Sequence, residues 1–134
     1  MRNLLYIFLL TLCFACKTDD PQANLIVGTW ALIEAKFPKS QQPDWQTFDP
    51  NLSYSRFILE ANGDMEGSIF SGGWCNEAES YTYESNRLYL KYSEPQCIPL
   101  VPYTPPAYAS IVEVTSTSLL IDFGGDQYRF KRER

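Results

Sequence analysis

Residues 26–33 read Ile26-Val27-Gly28-Thr29-Trp30-Ala31-Leu32-Ile33, and this stretch decides the fold. Apolar and β-branched side chains dominate it, and no helical apolar period runs beyond the first dozen residues of the chain. We therefore predict that it forms the first strand of an antiparallel sheet onto which the rest of the chain folds back. The chain has 134 residues, 15% of them aromatic, which indicates one all-β domain with a modest core.

Short turn signals divide the remainder of the chain into further strands. They lie at residues 61–63, 85–86, 116–117 and 124–125, where Gly, Asn, Ser and Thr occur between apolar runs. The turn at 85–86 places Tyr81 opposite Leu90 and Tyr83 opposite Leu88 on one face. The predicted strands cover about residues 25–36, 54–60, 64–70, 79–84, 87–92, 109–115, 118–123 and 126–133.

The last three predicted strands share one apolar face. Both of their turns select the same inward side chains, and this agreement favours a meander in which neighbouring strands pair in chain order. The predicted inward residues are Val112, Val114, Leu119, Ile121, Tyr128 and Phe130.

Eight antiparallel strands in up-and-down order are the number that closes a small barrel. The long, proline-containing connections at 37–53 and 93–108, together with 71–78, fall at one end, which we call the mouth. The tight turns at 61–63, 85–86 and 116–117 fall at the opposite end, which we call the base, while the tight turn at 124–125 belongs to the mouth. Aromatic residues of the mouth connections are Phe37, Trp45, Phe48, Trp74, Tyr103 and Tyr108, while Tyr81 and Tyr83 are predicted to point into the barrel.

Gly28-x-Trp30 at the start of the first strand resembles the opening of lipocalins. The other lipocalin signature blocks are absent, which favours the small bacterial lipocalin-like lipoproteins of Bacteroidetes type. This resemblance implies that an arginine of the last strand packs across Trp30 at the base. Arg132 is the candidate, and Arg129 replaces it if the last strand slips by one residue.

The N-terminus carries an export signal. Arg2 precedes an apolar run at residues 4–12, which is shorter than the roughly 20 residues of a membrane-spanning helix. Ala15-Cys16 resembles a lipobox, which implies removal of residues 1–15 and a lipid anchor on Cys16. Residues 16–24 are then a polar tether, and residues 25–134 are the barrel domain. The alternative is an ordinary cleaved signal with an incidental cysteine.

The resemblance to lipoproteins also implies a location in the cell. An anchored protein of this type lies in the cell envelope, on the outer membrane, and the acidic stretch Lys17-Thr18-Asp19-Asp20 resembles a tether for display on the cell surface. Without Arg2 the chain carries 10 basic and 16 acidic residues, a net charge near −6. Such a surface argues against nucleic-acid partners, and the predicted contact with the membrane is through the lipid alone.

Cys75 and Cys97 remain as an even pair in an exported chain. Extending the register from Tyr81 and Leu90 places Cys75 close to Cys97, so we predict a disulfide across the mouth. A metal site or a nucleophilic thiol requires a histidine or further thiols as partners, and the mature chain has neither. We expect no metal and no cofactor.

Catalysis has little support in the sequence. There is no histidine, no strained serine motif and no phosphate-binding loop, so the chain is predicted not to be an enzyme. Glu34 falls on the side of Trp30 if the first strand alternates strictly. Because an unpaired buried carboxylate is costly, a bulge that turns Glu34 to solvent is the favoured prediction.

Two functional hypotheses remain. The barrel binds a small apolar or sugar-like ligand at its mouth, or its rings fill the interior and the protein docks a protein or glycan partner through its proline- and aromatic-rich loops. The candidate ligand-binding residues are Trp45, Trp74, Tyr81, Tyr83 and Tyr103.

Overall fold

The computed structural model describes residues 20–51, 56–67, 69, 78–93 and 106–134. A short helix and nine strands make up this part of the chain. They are α1 (Pro21–Ile26), β1 (Gly28–Lys36), β2 (Trp45–Thr47), β3 (Arg56–Leu59), β4 (Met65–Gly67), β5 (Ala78–Glu84), β6 (Arg87–Tyr92), β7 (Tyr108–Val114), β8 (Ser118–Phe123) and β9 (Asp126–Arg132).

The strands form one antiparallel sheet that curls into a nearly closed barrel. Its order is β4-β3-β1-β9-β8-β7-β6-β5, and β2 pairs with the mouth end of β1. The first and last strands of this order meet at a bridge between Asp64 and Ser80, beside a 2.8 Å hydrogen bond from the Tyr81 amide to the Gly63 carbonyl. The predicted all-β antiparallel barrel is confirmed.

The predicted hairpins have the predicted registers. Tyr81 pairs with Leu90 and Tyr83 with Leu88 across β5 and β6. Ser85 and Asn86 between these strands have φ values of 51° and 60°, the left-handed pair that a two-residue turn of the right twist requires. Short local signals therefore determine the pairing of the strands around the barrel.

Two elements differ from the predictions. Helix α1 occupies residues expected to be a tether and the start of the first strand, so β1 begins only at Gly28. Its formation has a local cause, because Asp20 caps it by accepting a 2.9 Å hydrogen bond from the Gln22 amide, and Pro21 is at the first helical position. Strand β2 is the second difference, since it lies inside the connection predicted for 37–53.

The core is continuous from base to mouth. Its largest fully buried side chains are Trp30, Phe57, Phe130, Ile26, Leu32, Leu59, Leu88, Leu119 and Ile121. Of the six predicted inward residues in the last three strands, Leu119, Ile121, Tyr128 and Phe130 are buried, and Val114 packs against the core.

Val112 is the incorrect member of that set. A bulge between Ile111 and Glu113 shifts the register of β7 against β8, so Ile111 is buried and Val112 is 54% exposed. Val112 was expected to face inward with Val114, but the bulge breaks the alternation between them: Ile111 and Val114 face the core, and Val112 and Glu113 are both exposed. Within the described ranges, no helix is long and apolar enough to cross a membrane.

Candidate functional site

The base of the barrel is organised by Trp30 and Arg132. The two residues are direct partners in the β1–β9 pair, and the Arg132 Cζ atom lies 4.4 Å from the centre of the Trp30 ring. Trp30 is fully buried, so the guanidinium covers the ring at the end of the core. The predicted Arg132 contact is therefore present, and Arg129 does not replace it.

The contact between Arg132 and Trp30 requires a glycine at position 28. Its φ is +143°, which L-residues rarely adopt, and a Cβ atom at this position would overlap the Nη1 atom of Arg132. The glycine thus leaves the space through which the arginine reaches the tryptophan. The Gly-x-Trp pattern and the arginine of the last strand form one arrangement of three residues.

Helix α1 is bound to this arrangement by side-chain hydrogen bonds. Trp30 Nε1 donates to the Ile26 carbonyl at 2.7 Å, and Arg132 Nη1 donates to the Val27 carbonyl at 2.6 Å. Arg132 Nη2 donates to the Leu25 carbonyl. These bonds satisfy carbonyls at the end of the helix and seal the base.

Tyr81 lies inside the barrel as predicted, and its hydroxyl is occupied. The ring is 8% exposed, and the hydroxyl donates to the Glu60 carbonyl at 2.7 Å. Burial raises the pKa of Tyr81 above its usual 10.0. Tyr81 therefore ties β5 to the loop after β3 across the near-closure of the barrel.

Tyr83 packs against the core from the base end. Its hydroxyl oxygen lies 3.0 Å from Gln22 Oε1 and 2.9 Å from Asn86 Oδ1. Burial, followed by the nearby Asp20 carboxylate, raises its pKa. The side chain thus bridges helix α1 and the β5–β6 turn, at the opposite end from the predicted mouth site.

The architecture agrees with one solved structure. A lipocalin-like protein from Bacteroides uniformis superposes with a TM-score of 0.52 and 11% sequence identity, over 81% of this chain and 98% of that chain. The fold is a lipocalin-like barrel. No protein-family model and no curated protein matches the sequence.

Aromatic side chains cover the mouth of the lipocalin-like barrel. The rings of Phe37 and Tyr128 meet edge to face with their centres 5.8 Å apart. Phe48 packs against the core, and its amide donates to the Ile33 carbonyl at 2.9 Å, which continues the β1–β2 pairing by one residue. Phe37 and Phe48 thus turn towards the core, whereas residues 38–44 between them are exposed.

Trp45 lies at the mouth end of β1, as predicted, but its ring is on the outer face of the sheet and not on the side of the proposed ligand. It pairs with Lys36 on the outer face of the sheet, and the Arg129 Cζ atom lies 4.8 Å from the centre of its ring. Arg129 Nη1 also donates to Glu34 Oε2 at 2.6 Å. A register shift between Leu32 and Glu34 turns this carboxylate outward, as the favoured prediction for Glu34 required.

The outer face of β6 and β7 carries a cluster that sequence reasoning missed. Tyr89 and Tyr108 are direct cross-strand partners with ring centres 5.8 Å apart, and the Arg87 Cζ atom lies 4.7 Å from the centre of the Tyr108 ring. Val112 is exposed on the same side. We call Arg87, Tyr89, Tyr108 and Val112 the tyrosine face.

The signal for the tyrosine face was present in the sequence. Arg87 and Tyr89 alternate with the inward Leu88, which places both on the outer side of β6. Tyr108 was predicted to belong to a mouth loop, but it is the first residue of β7 and 41% exposed. Because Ala109 is buried and side chains of a strand alternate between its two faces, the preceding residue Tyr108 must face outward.

Several predicted site residues lie outside the described residues. They are Cys16, Trp74, Cys75, Cys97 and Tyr103, so the lipid attachment, the disulfide and two of the mouth rings stay predictions. In the part of the chain that the structure describes, no group of three or more acidic, histidine or cysteine residues comes together to hold a metal ion.

Proposed function

We propose that this protein is an exported lipoprotein, anchored through Cys16, whose barrel binds a small apolar or sugar-like ligand at its mouth. One observation supports the proposal: the two ends of the barrel differ. The base is closed by Arg132, Trp30 and three side-chain hydrogen bonds to residues 25–27. At the mouth, Phe37 and Phe48 of one connection pack against the core but are only partly buried.

A ligand of this barrel can bind only near the mouth, because the interior is filled. Trp30, Phe57 and Phe130 are each 0% exposed and occupy the interior, with the Phe57 and Phe130 rings 4.9 Å apart. The ligand therefore displaces or inserts between Phe37 and Phe48 and rests on Tyr128. Contact with rings gives preference to apolar groups and to the C–H faces of sugars.

The orientation relative to the membrane follows from the anchor. Cys16 precedes helix α1 by a few residues, and α1 is held at the base. A lipid on Cys16 thus brings the base towards the bilayer, and the mouth faces away. Diacylation anchors a protein without help from basic residues, which suits the acidic composition and an outer-membrane location. We propose no catalytic role.

The filled interior favours a second candidate function. If Phe37 and Phe48 are permanent parts of the core, no ligand enters, and the exposed residues 38–44 of the mouth connection are available to dock a protein or glycan partner. The lipocalin-like barrel then serves as a rigid support for its loops.

A matched pair of substitutions in one segment separates the two functions. Phe48→Ala removes a ring at the mouth, whereas Trp45→Ala removes a ring on the outer face three residues away. Titration with fatty acids and neutral oligosaccharides is expected to show binding that weakens about tenfold or more in Phe48→Ala and changes little in Trp45→Ala. Binding that neither variant alters, or no binding at all, would favour the docking function.

The anchor has its own test. Metabolic labelling with a fatty-acid analogue is expected to modify the wild-type protein and to leave Cys16→Ala unlabelled. A Cys16→Ala protein that still carries the label contradicts the proposed attachment.

A further inference from the structure

The tyrosine face contains all of the exposed large hydrophobic residues found in the described part of the chain. Tyr89 is 36%, Tyr108 41% and Val112 54% exposed. Large apolar side chains gathered on one side of a soluble domain mark contact surfaces more often than scattered ones do. Val112 lies four residues further along β7 than Tyr108, on the same side of the sheet.

The extent of this face limits its occupant. Given their exposures, the three side chains offer on the order of 200 Å² of surface, since a whole aromatic side chain buries roughly 150–250 Å². A stable contact between two folded proteins needs about 800 Å² on each partner. The tyrosine face is therefore of the size that one or two sugar rings cover.

The charge of the face is opposite to that of the chain. The chain has a net charge of −5, yet β6 presents Arg87, Tyr89 and Lys91 at alternate outward positions. Outward residues two apart on a strand are about 7 Å apart, so a cation stands on either side of the tyrosine. The strip offers a ring flanked by donors for anionic groups.

Arg87 is held between the two tyrosines, because its side chain is hydrogen-bonded to Tyr89 and its guanidinium lies over the Tyr108 ring. Its register partner across the β5–β6 turn is Glu84, but the guanidinium lies over Tyr108 instead. Neither of the ion pairs in the described part of the chain involves Arg87. Glu84 and Glu113 border the face, so their repulsion of an anion opposes its attraction to Arg87 and Lys91 and limits the binding site to that strip.

We propose that the tyrosine face binds an acidic saccharide, with a sugar ring stacked on Tyr89 beside the inclined ring of Tyr108 and its carboxylate held by Arg87. The C–H face of a pyranose carries partial positive charge and suits the negative face of an aromatic ring. A guanidinium binds a carboxylate through two parallel hydrogen bonds. This site is separate from the proposed mouth site and needs neither the anchor nor an empty barrel.

The test compares one oligosaccharide in two charge states. The purified protein is titrated at low ionic strength with oligogalacturonate and with the same oligomer as its neutral methyl ester, and the heat of binding is measured. We expect binding of the acid, weaker binding of the ester, and loss of the difference at high salt. No binding of either oligomer, or equal binding of both, overturns the proposal.

Substitutions assign the binding to the face. Arg87→Gln and Tyr108→Ser are each expected to weaken binding of the acid about tenfold or more, and Arg87→Lys to recover part of the loss. Lys131→Gln removes an exposed cation from β9 and is the charge-matched control, with no change expected. Circular dichroism confirms that each variant is folded.

Two other results would contradict the proposal. Loss of binding in Phe48→Ala but not in Tyr108→Ser would assign the saccharide to the mouth, which supports the proposed function and overturns this inference. Sedimentation that shows a dimer dispersed by Tyr108→Ser would assign the face to a second copy of the chain.

Discussion

Arg132 stacks on Trp30 across the β1–β9 pair, with its Cζ atom 4.4 Å from the centre of the ring. Its two terminal nitrogens donate to the carbonyls of Val27 and Leu25, so one side chain joins the last strand, the first strand and helix α1. Arg132 thereby connects the first and last elements of the barrel domain at the base.

Replacement of Arg132 by leucine should destabilise the protein by about 2–4 kcal/mol. The variant loses a cation–π contact and two charge-assisted hydrogen bonds, and it leaves two carbonyls without their donors. Urea unfolding followed by tryptophan fluorescence measures the change. Arg129→Leu is the matched control, because Arg129 is on the outer face with its side chain 38% exposed, and it should cost less than about 1 kcal/mol. Equal losses would contradict the role assigned to the base.

Alanine at Gly28 should destabilise the barrel by about 2–4 kcal/mol, because it combines a strained φ with overlap on Arg132. Alanine at Gly124 separates these causes. Gly124 has a φ of +67° and open space around the position of a Cβ, so only the conformational cost of about 1 kcal/mol remains. Thermal unfolding of both variants checks the difference, and a Gly124 variant as unstable as the Gly28 variant contradicts it.

Tyr81 makes stability sensitive to alkaline pH. Burial raises its pKa above 10.0 in the folded protein, so the folded state holds the proton more tightly than the unfolded chain does. This contribution is complete below pH about 10 and is lost as pH rises through the folded pKa.

Tyr81→Phe should therefore flatten the decline in stability at alkaline pH. At neutral pH it should cost about 0.5–1.5 kcal/mol, because the bond to the Glu60 carbonyl is lost. Urea unfolding at a series of pH values from neutral to alkaline measures both effects. An alkaline decline as steep as that of the wild-type protein contradicts the assignment.

The predicted disulfide between Cys75 and Cys97 should be measurable as a stability difference. On the chain-entropy account, reduction or the double substitution to serine costs about 3 kcal/mol of unfolding free energy. Thiol titration of the unreduced protein should find neither cysteine reactive. Two reactive thiols would show that the mouth is not cross-linked.

The barrel was predictable from the sequence where local signals determine pairing. Asn62-Gly63 and Ser85-Asn86 select turn types that fix the registers of their hairpins, and strict alternation then separates core from surface. The contact between Trp30 and Arg132 could be predicted from the resemblance to lipocalins together with the register of the last strand. These features depend on residues close in sequence or on a single strand.

The errors arise where an additional residue or a distant contact determines the result. The bulge in β7 breaks the alternation between Val112 and Val114, and because it is set by the pairing with β8, placing Val112 on the side of Val114 was wrong. Helix α1 has a local start signal in Asp20 and Pro21 but is too short to be stable by itself, so it also needs the hydrogen bonds that Trp30 and Arg132 donate to its C-terminal end. Trp45 pairs with β1 despite prolines on either side, so the strand was hidden in a sequence typical of a loop.

Native mass spectrometry of the protein, purified gently from its own cell envelope, tests the mouth site most directly. A ligand bound at the mouth predicts a discrete adduct that is lost on denaturation and is absent from Phe48→Ala but retained by Trp45→Ala. A bare mass for the wild-type protein, unchanged after exposure to fatty acids and oligosaccharides, would contradict a ligand site at the mouth of the barrel.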